Sequence, residues 1–190
     1  MSQHQTTVEI VRGSVLEQDV DVIVNAANTA MRGGGGVDGA IHRAAGPGLM
    51  EELRRAAPHG ARTGTATLTG GHSLKQPYIL HTPGPVWNGG GSGEAERLAS
   101  SYWSCLERAE EKGLSSIAFC SVSTGIYGYP LDQAAPLALN TVRAYLDAHP
   151  DTSLERVVFA MFQPQEYQAF TEAWQEITRG EASVDEAGGA

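Results

Sequence analysis

The sequence predicts an α/β layered domain, with helices on both faces of a mostly parallel or mixed sheet. Short runs of β-branched and apolar residues alternate along the chain with longer stretches that suit helices, and this alternation is typical of that architecture. The length of 190 residues corresponds to little more than one domain on the rough prior of about 150 residues. The chain also holds 23 glycines, a proportion well above the usual ~7%, which indicates tight turns or a backbone that approaches a ligand closely.

Six short segments are predicted to be strands. Val8–Val11 is the first. The second, Val20–Val24, is almost entirely apolar, which is typical of a central strand buried on both faces. Each of the other four is bounded by turn residues, and they are Thr65–Thr69, Tyr78–His81, Ile117–Val122 and Val157–Phe162.

Five longer segments are predicted to be helices. The third of them follows Ser92, a residue type that caps helices, and stops before Gly113. The five are Val37–Ala45, Pro47–Ala56, Glu94–Lys112, Asp132–His149 and Gln165–Ile177. Residues 179–190 carry few large apolar side chains, so we expect a domain over residues 1–178 followed by a disordered acidic tail.

Composition and charge exclude several classes of protein. Thirteen basic residues against 22 acidic ones give a net charge of −9, which argues against nucleic acid as a partner. No run of about 18 apolar residues predicts a membrane span, and the polar residues 1–7 do not resemble a signal peptide. The two cysteines, Cys105 and Cys120, form neither a disulfide framework nor a zinc site. We expect a cytoplasmic monomer without a metal, a cofactor or a membrane partner.

Glycines dominate the loop after the second predicted strand. Residues 33–36 are consecutive glycines, whose backbone N–H groups can point at an anion, and the helix predicted to begin near Val37 adds the positive end of its dipole. Gly34, Gly36 and Gly39 match the spacing of a dinucleotide-binding fingerprint, but they do not follow the strand directly and no acidic residue closes a second strand. The alternative is a flexible surface loop.

Polar side chains flank this glycine run. Asp38 and His42 are four residues apart, so both project from one face of the predicted helix. The helix dipole favours a carboxylate in the first turn, and we expect its field to hold Asp38 ionised, as an acceptor of protons or of hydroxyl groups. Asn25 and Asn28 end the buried strand and are either turn residues or hydroxyl binders. The alternatives for Asp38 and His42 are an ordinary helix carboxylate and a locally hydrogen-bonded histidine.

Hydroxyls, glycines and an aromatic side chain follow the fifth predicted strand, in the loop over residues 121–130. Its free amides suit a second phosphate cradle, with Tyr127 as an aromatic wall, so the two loops together suggest a clamp around a diphosphate. Phe162 ends the last predicted strand, where a ring can stack on a base. The alternative for the loop is a tight turn with a core tyrosine. The alternative for Phe162 is an ordinary core phenylalanine. The histidines outside these loops, His81 among them, show no metal-ligand spacing and are interpreted as surface or core residues.

Together these motifs resemble the macrodomain family, specifically its MacroD-like branch, which binds ADP-ribose. The matching segments include residues 20–28, 33–47, 81–87 and 123–130. The resemblance implies a three-layer α/β/α sandwich around a mixed, mostly parallel central sheet, with a cleft for ADP-ribose built from the loops above. It also implies that ADP-ribose is bound by Ser14, Val15, Asn25, Asn28, Gly35, Gly36, Val37, Asp38, Ser123, Thr124, Gly125, Ile126, Tyr127 and Phe162.

The resemblance assigns roles to several of these residues. Asn28 and Asp38 would face the distal ribose and act in catalysis with His42 in support, the second loop would wrap the diphosphate, and Phe162 would stack on the adenine. One position departs from the family pattern, which usually reads Gly-Asp-Ile after the first strand. Ser14 replaces that aspartate, so a charged acceptor for the adenine amino group is lost and adenine recognition is weakened by about 1 kcal/mol.

The function that the resemblance implies is hydrolysis of ADP-ribose esters. The enzyme would remove mono-ADP-ribose from Asp or Glu side chains, deacetylate O-acetyl-ADP-ribose, or do both. Its partners would be ADP-ribose, these esters and mono-ADP-ribosylated proteins. The alternative is a non-catalytic reader of ADP-ribose or of ADP-ribosylated proteins, because fold does not dictate function. An oxidoreductase that uses the glycine loop for a nicotinamide cofactor is a third hypothesis, and an RNA-binding role is the last.

Overall fold

The computed structural model describes residues 5–187, and each predicted strand and helix corresponds to one of its elements. The strands are β1 Thr7–Arg12, β2 Val22–Ala27, β3 Thr67–Gly70, β4 Tyr78–Pro83, β5 Ser116–Phe119 and β6 Arg156–Met161. The helices are α1 Gly36–Ala45, α2 Gly48–Ala56, α3 Glu94–Glu111, α4 Leu131–Ala148 and α5 Pro164–Ala187. No helix within the described residues is both long enough and apolar enough to cross a membrane.

The six strands form one sheet in the order β1-β6-β5-β2-β4-β3. Neighbouring strands are parallel except for β3, which is antiparallel to β4. This is the mixed, mostly parallel sheet that was predicted. Val22, Ile23 and Val24 of β2 are fully buried, because a central strand of such a sheet is covered on both faces.

Helices cover both faces of the sheet. On one face α1 packs on β2, and α2 packs on α1 and β3. On the other face α4 lies between α3 and α5, while α3 contacts β4 and α5 contacts β1 and β6. Right-handed crossovers lead to this division, because connections that move in opposite directions along a sheet lie on opposite faces. The result is the expected three-layer α/β/α sandwich.

A cluster of aromatic side chains joins the sheet to α3 and α5. Phe119 of β5 and Phe159 of β6 stack with ring centroids 5.5 Å apart, and Tyr102 and Phe170 pack against this pair from the two helices. The backbone N–H of Val122 donates a hydrogen bond of 3.2 Å to the Tyr102 hydroxyl. The core therefore fixes the first residues of the loop that follows β5.

The last helix is longer than predicted. We expect a disordered tail from residue 179 on sequence grounds, whereas α5 continues to Ala187. Its final turns contain alanine and glutamate, which have high helix propensity, and Arg143 of α4 forms a salt bridge with Glu181. The observed helix therefore corrects the prediction of a disordered tail as far as Ala187. Residues 188–190 lie outside the described part of the chain.

Candidate functional site

A cavity of about 550 Å³ opens where five parallel strands end. The loops that follow β1, β2, β4, β5 and β6 meet there, because parallel strands present their carboxyl ends at one edge of the sheet. Most of the predicted ligand-binding residues line this cavity, namely Ser14, Val15, Asn28, Gly35, Gly36, Val37, Asp38, Ser123, Gly125, Ile126, Tyr127 and Phe162. Three predicted site residues are not part of the lining, and these are Asn25, His42 and Thr124.

Asn28 both shapes the first loop and lines the cavity. Its Oδ1 accepts a hydrogen bond from the backbone N–H of Met31 at 3.1 Å. Its Nδ2 donates to the carbonyl oxygen of Gly33 at 2.9 Å. The side chain therefore closes the turn that leads into the glycine run, as the turn interpretation has it, and its binding of a hydroxyl group stays a prediction.

Asp38 lies in the first turn of α1, where its two carboxylate oxygens have different surroundings. Oδ1 accepts a hydrogen bond of 2.8 Å from Nδ2 of Asn25, and Nε2 of His42 lies 3.3 Å from the same oxygen. Oδ2 faces Gly34, where an added Cβ would lie 3.3 Å from it and 3.4 Å from Nδ2 of Asn28. Within the described residues, no hydrogen bond ends on Oδ2. One oxygen is thus anchored, and the other remains available beside Asn28.

Burial dominates the electrostatics of Asp38. The residue is 5% exposed, and burial raises the pKa of its carboxyl above the ordinary value, although the Asn25 hydrogen bond and His42 act in the opposite direction. The helix dipole is expected to hold Asp38 ionised, and burial acts against it because removal from water disfavours the charged form. A carboxylate with a raised pKa is a stronger base once it is ionised.

The structure places His42 behind Asp38 and brings a second histidine, His81, into the same buried group. Nδ1 of His81 lies 3.1 Å from Nδ2 of Asn25, and its Nε2 lies 2.9 Å from Oγ1 of Thr69. Burial, with a smaller contribution from His42, lowers the pKa of His81 to about 3. Our interpretation of His81 as an ordinary surface or core residue missed this connection. The strand register carries the signal, since Asn25 of β2 pairs with His81 of β4.

The loop after β5 has a strained residue at its centre. Ser123 has a φ of 67°, a left-handed conformation that costs energy for a residue other than glycine. Its hydroxyl oxygen is buried and has no hydrogen-bond partner within the described residues, while its carbonyl accepts a bond from the N–H of Tyr129. The Thr124 hydroxyl bonds to that of Ser121, and Thr124 does not line the cavity. A Cβ at Gly84 would collide with the Ser123 hydroxyl, so the loop needs a glycine beneath it.

The same loop reaches over the cavity toward the glycine run. The carbonyl oxygen of Tyr127 accepts a hydrogen bond of 2.9 Å from the N–H of Trp87, which ties the loop to the segment after β4. Ile126 is 89% exposed, and its Cδ1 lies 4.0 Å from the position of a Cβ on Gly35. The two predicted loops therefore approach each other across the mouth of the cavity.

The other end of the cavity is formed by residues that follow β1 and β6. Phe162 is 64% exposed, so the structure excludes its interpretation as a core residue. Oγ of Ser14 accepts a hydrogen bond of 3.1 Å from the N–H of Leu16, which caps the 3₁₀ turn Val15–Glu17. Glu166 is half-buried and lines this end. Glu166 was missed, although the predicted helix that contains it follows directly on the strand that ends at Phe162.

Arg43 and Cys120 are among the other lining residues that were not predicted. Arg43 is exposed and lies on the cavity side of α1 with Gly36 and Ala40. Residues at this spacing share one face of a helix, so the sequence could have indicated Arg43 as a lining residue. Cys120 is buried, and burial raises the pKa of its thiol to about 12. In the described part of the chain, no cluster of three His, Cys, Asp or Glu side chains is placed to hold a metal ion.

Comparison with known proteins places the chain in a family. A family model described as the Macro domain matches residues 24–138. A macro domain-containing protein of Mesorhizobium japonicum is 46% identical over 182 residues, covering 95% of this chain and 100% of the relative. One from Caldanaerobacter subterraneus subsp. tengcongensis is 42% identical over 174 residues, covering 90% of this chain and 98% of the relative.

Solved structures give the same result. An Oceanobacillus iheyensis macrodomain with ADP superimposes with a TM-score of 0.87 at 37% identity, covering 95% of this chain and 96% of that one. A Trypanosoma brucei macrodomain in complex with ADP-ribose superimposes with a TM-score of 0.81 at 45% identity, covering 87% of this chain and 68% of that one. The superpositions cover 95% of this chain in the first case and 87% in the second. This chain belongs to the macro domain family.

Proposed function

We propose that this protein binds ADP-ribose in the cavity and hydrolyses ADP-ribose esters. The observation that carries the proposal is the arrangement of Asp38, whose Oδ1 is anchored by Asn25 while its Oδ2 faces Gly34 and the Asn28 amide at the cavity wall. The ligands of the structural neighbours, ADP in one and ADP-ribose in another, support the choice of ligand. The substrates would be O-acetyl-ADP-ribose, mono-ADP-ribose attached to Asp or Glu side chains, or both.

The placement of ADP-ribose follows from the chemistry of the lining. Phe162 presents an exposed ring at one end, which suits stacking with adenine, since every base has a flat π-face that can stack on an aromatic side chain. The backbone N–H groups of the glycines in both loops suit the diphosphate. The distal ribose then lies beside Asn28 and Asp38, close to the carboxylate oxygen that has no partner.

Hydrolysis adds water to the ester, breaks the ester C–O bond and releases ADP-ribose and a carboxylic acid. Asp38 would accept a proton from the attacking water, directly or through a ribose hydroxyl, and Asn28 would orient the ribose. The backbone N–H groups of the glycine run would stabilise negative charge that develops on oxygen. A second route has the same outcome, with a phosphate of the bound substrate activating the water and Asp38 only positioning it.

A paired measurement tests the proposal. Calorimetric titration with ADP-ribose measures binding, and release of the modification from a mono-ADP-ribosylated glutamate substrate and from O-acetyl-ADP-ribose measures turnover. Binding with turnover supports the hydrolase, and binding without turnover makes the protein a reader. NAD that binds as tightly as ADP-ribose would favour the oxidoreductase hypothesis instead, and the absence of ADP-ribose binding would overturn the whole assignment.

A further inference from the structure

A continuous chain of buried hydrogen bonds runs from the antiparallel edge of the sheet to Asp38. It joins Thr69 of β3, His81 of β4, Asn25 of β2 and Asp38 of α1 through contacts of 2.9, 3.1 and 2.8 Å. All four side chains are buried, and only Asp38 lines the cavity. Three side chains that do not line the cavity therefore extend across β2, β4 and β3 behind the carboxylate.

The direction of every hydrogen bond in this chain follows from one fact. An ionised carboxylate only accepts hydrogen bonds, so Nδ2 of Asn25 must donate to Asp38. The second hydrogen of that amide points at Nδ1 of His81, which must then be unprotonated and act as acceptor. Nε2 of His81 consequently carries the ring proton and donates to Thr69, whose own hydroxyl lies 3.2 Å from the carbonyl oxygen of Gly70.

Two observations agree with this ordering. His81 is neutral near pH 7, because burial lowers its pKa to about 3, and a neutral imidazole has one donor and one acceptor. Oδ1 of Asn25 is buried without a hydrogen-bond partner in the described structure. The amide thus leaves its oxygen unpaired while both of its N–H groups are used, on Asp38 and on His81.

We propose that His81, held by Thr69, is a positioning residue that sets the orientation of the Asn25 amide and through it the position of the Asp38 carboxylate. With the ring proton on Nδ1 instead, two donors would face each other. The Asn25 amide would rotate and place its oxygen against the Asp38 carboxylate, where the two would repel. The inference rests on the proposed hydrolase function, because it concerns the group that acts on the ester.

The test uses a matched pair of variants at Thr69. Thr69→Val keeps the shape of the side chain and removes the hydroxyl that accepts from His81, whereas Thr69→Ser retains it. We expect Thr69→Val to lower kcat for ADP-ribose ester hydrolysis about 10-fold while the calorimetric Kd for ADP-ribose stays within twofold, because a small misplacement of a reacting group costs rate rather than affinity. Thr69→Ser restores kcat to near the wild-type value.

Nitrogen-15 NMR of the histidine rings reports which ring nitrogen of His81 carries the proton. This property would not change if Thr69 only supported packing. We expect His81 in the wild-type protein to carry its proton on Nε2, and Thr69→Val to shift it toward Nδ1. Should Thr69→Val fail to fold, His81→Asn, which keeps an acceptor facing Asn25, is compared with His81→Leu, which removes it. The same loss of kcat is expected only for His81→Leu.

The outcomes separate this inference from the proposed function. Wild-type protein that binds ADP-ribose without turnover overturns both the hydrolase and the positioning role. Wild-type turnover that Thr69→Val leaves unchanged overturns the positioning role alone, as does a wild-type His81 protonated on Nδ1. A fall in both kcat and ADP-ribose affinity in Thr69→Val, without rescue by Thr69→Ser, would mean that Thr69 only supports packing and would also overturn it.

Discussion

The two ends of the cavity differ in how much of their structure is fixed before a ligand arrives. At one end, Asp38 is buried and one of its oxygens is held by Asn25 and approached by His42. At the other end, Phe162 is 64% exposed, and the Ser14 hydroxyl is engaged only by a local backbone cap. In the proposed placement of ADP-ribose, the fold preorganises the end where a bond would break, and the ligand would complete the end that holds adenine.

This difference has an energetic basis. Displacing a carboxylate in a reacting complex costs rate steeply, so preorganised hydrogen bonds behind Asp38 are useful. An exposed ring such as Phe162 gains most of its interaction energy only when a flat ligand covers it. We therefore expect changes at the Asp38 end to act on turnover and changes at the Phe162 end to act on affinity.

The largest effect is expected from removing the carboxylate. Asp38→Ala should lower the turnover of ADP-ribose esters about 100-fold or more, because general-base catalysis contributes roughly 100-fold to 10,000-fold. ADP-ribose binding, measured by calorimetry, should remain largely intact. Asp38→Asn is the matched control that keeps the volume of the side chain and should lose turnover to the same extent. An unchanged rate in either variant would show that another group, such as a substrate phosphate, activates the water.

At the opposite end, Phe162→Ala should weaken ADP-ribose binding by about 1–3 kcal/mol, the usual cost of removing a stacked aromatic side chain. Turnover at saturating substrate should stay near the wild-type value, because Phe162 lies away from Asp38. Tyr167→Ala is a suitable control, since Tyr167 is an exposed aromatic residue of α5 that does not line the cavity. Equal effects of the two substitutions on Kd would contradict the placement of adenine on Phe162.

Acid should weaken the fold through the buried end of the site. The native pKa of His81 is lowered to about 3, whereas the unfolded chain takes up a proton on this residue near pH 6.5. Between these values the unfolded state binds more protons, so stability falls as the pH decreases, by up to about 1.4 kcal/mol per pH unit. Denaturant unfolding at pH 7, 6, 5 and 4 measures the loss.

His81→Asn supplies the control for that titration, because asparagine takes up no proton in this range. Its unfolding free energy should depend less steeply on pH between 6 and 4 than that of the wild-type protein. Parallel pH dependences for the two proteins would mean that other groups, such as the carboxylates that titrate near pH 4, cause the acid lability. The comparison thus measures how much His81 alone contributes to the pH dependence of the unfolding free energy.

Local signals in the chain predicted the fold and much of the site. The alternation of strands and helices, and the position of residues 33–36 and 121–130 after buried strands, led to the cavity because parallel strands end at a common edge. His81 was missed because its role depends on the strand register that pairs it with Asn25. The raised pKa of Asp38 depends on burial in the folded protein, and the salt bridge between Arg143 of α4 and Glu181 of α5 joins residues far apart in the sequence.

The smallest effect is expected at Ser14, where the chain departs from the family pattern. Ser14→Asp should tighten ADP-ribose binding by about 1 kcal/mol, because a carboxylate is a stronger acceptor than a hydroxyl for an amino group of the base. Aspartate also caps the turn Val15–Glu17 as serine does, so the local fold should persist. Ser14→Ala, which removes both the cap and the acceptor, should weaken binding instead.

The carboxylate of Glu166 affects the result expected for Ser14→Asp at the exposed end of the cavity. Glu166 lines the cavity together with Ser14 and Phe162 and already places one carboxylate there. If adenine contacts Ser14 directly, the added carboxylate of Ser14→Asp should favour ADP-ribose over its hypoxanthine counterpart, which lacks the amino group that donates. Equal affinities of wild-type protein and Ser14→Asp for ADP-ribose would mean that repulsion between the two carboxylates cancels the new hydrogen bond, and removing the charge with Glu166→Gln should then reveal the gain.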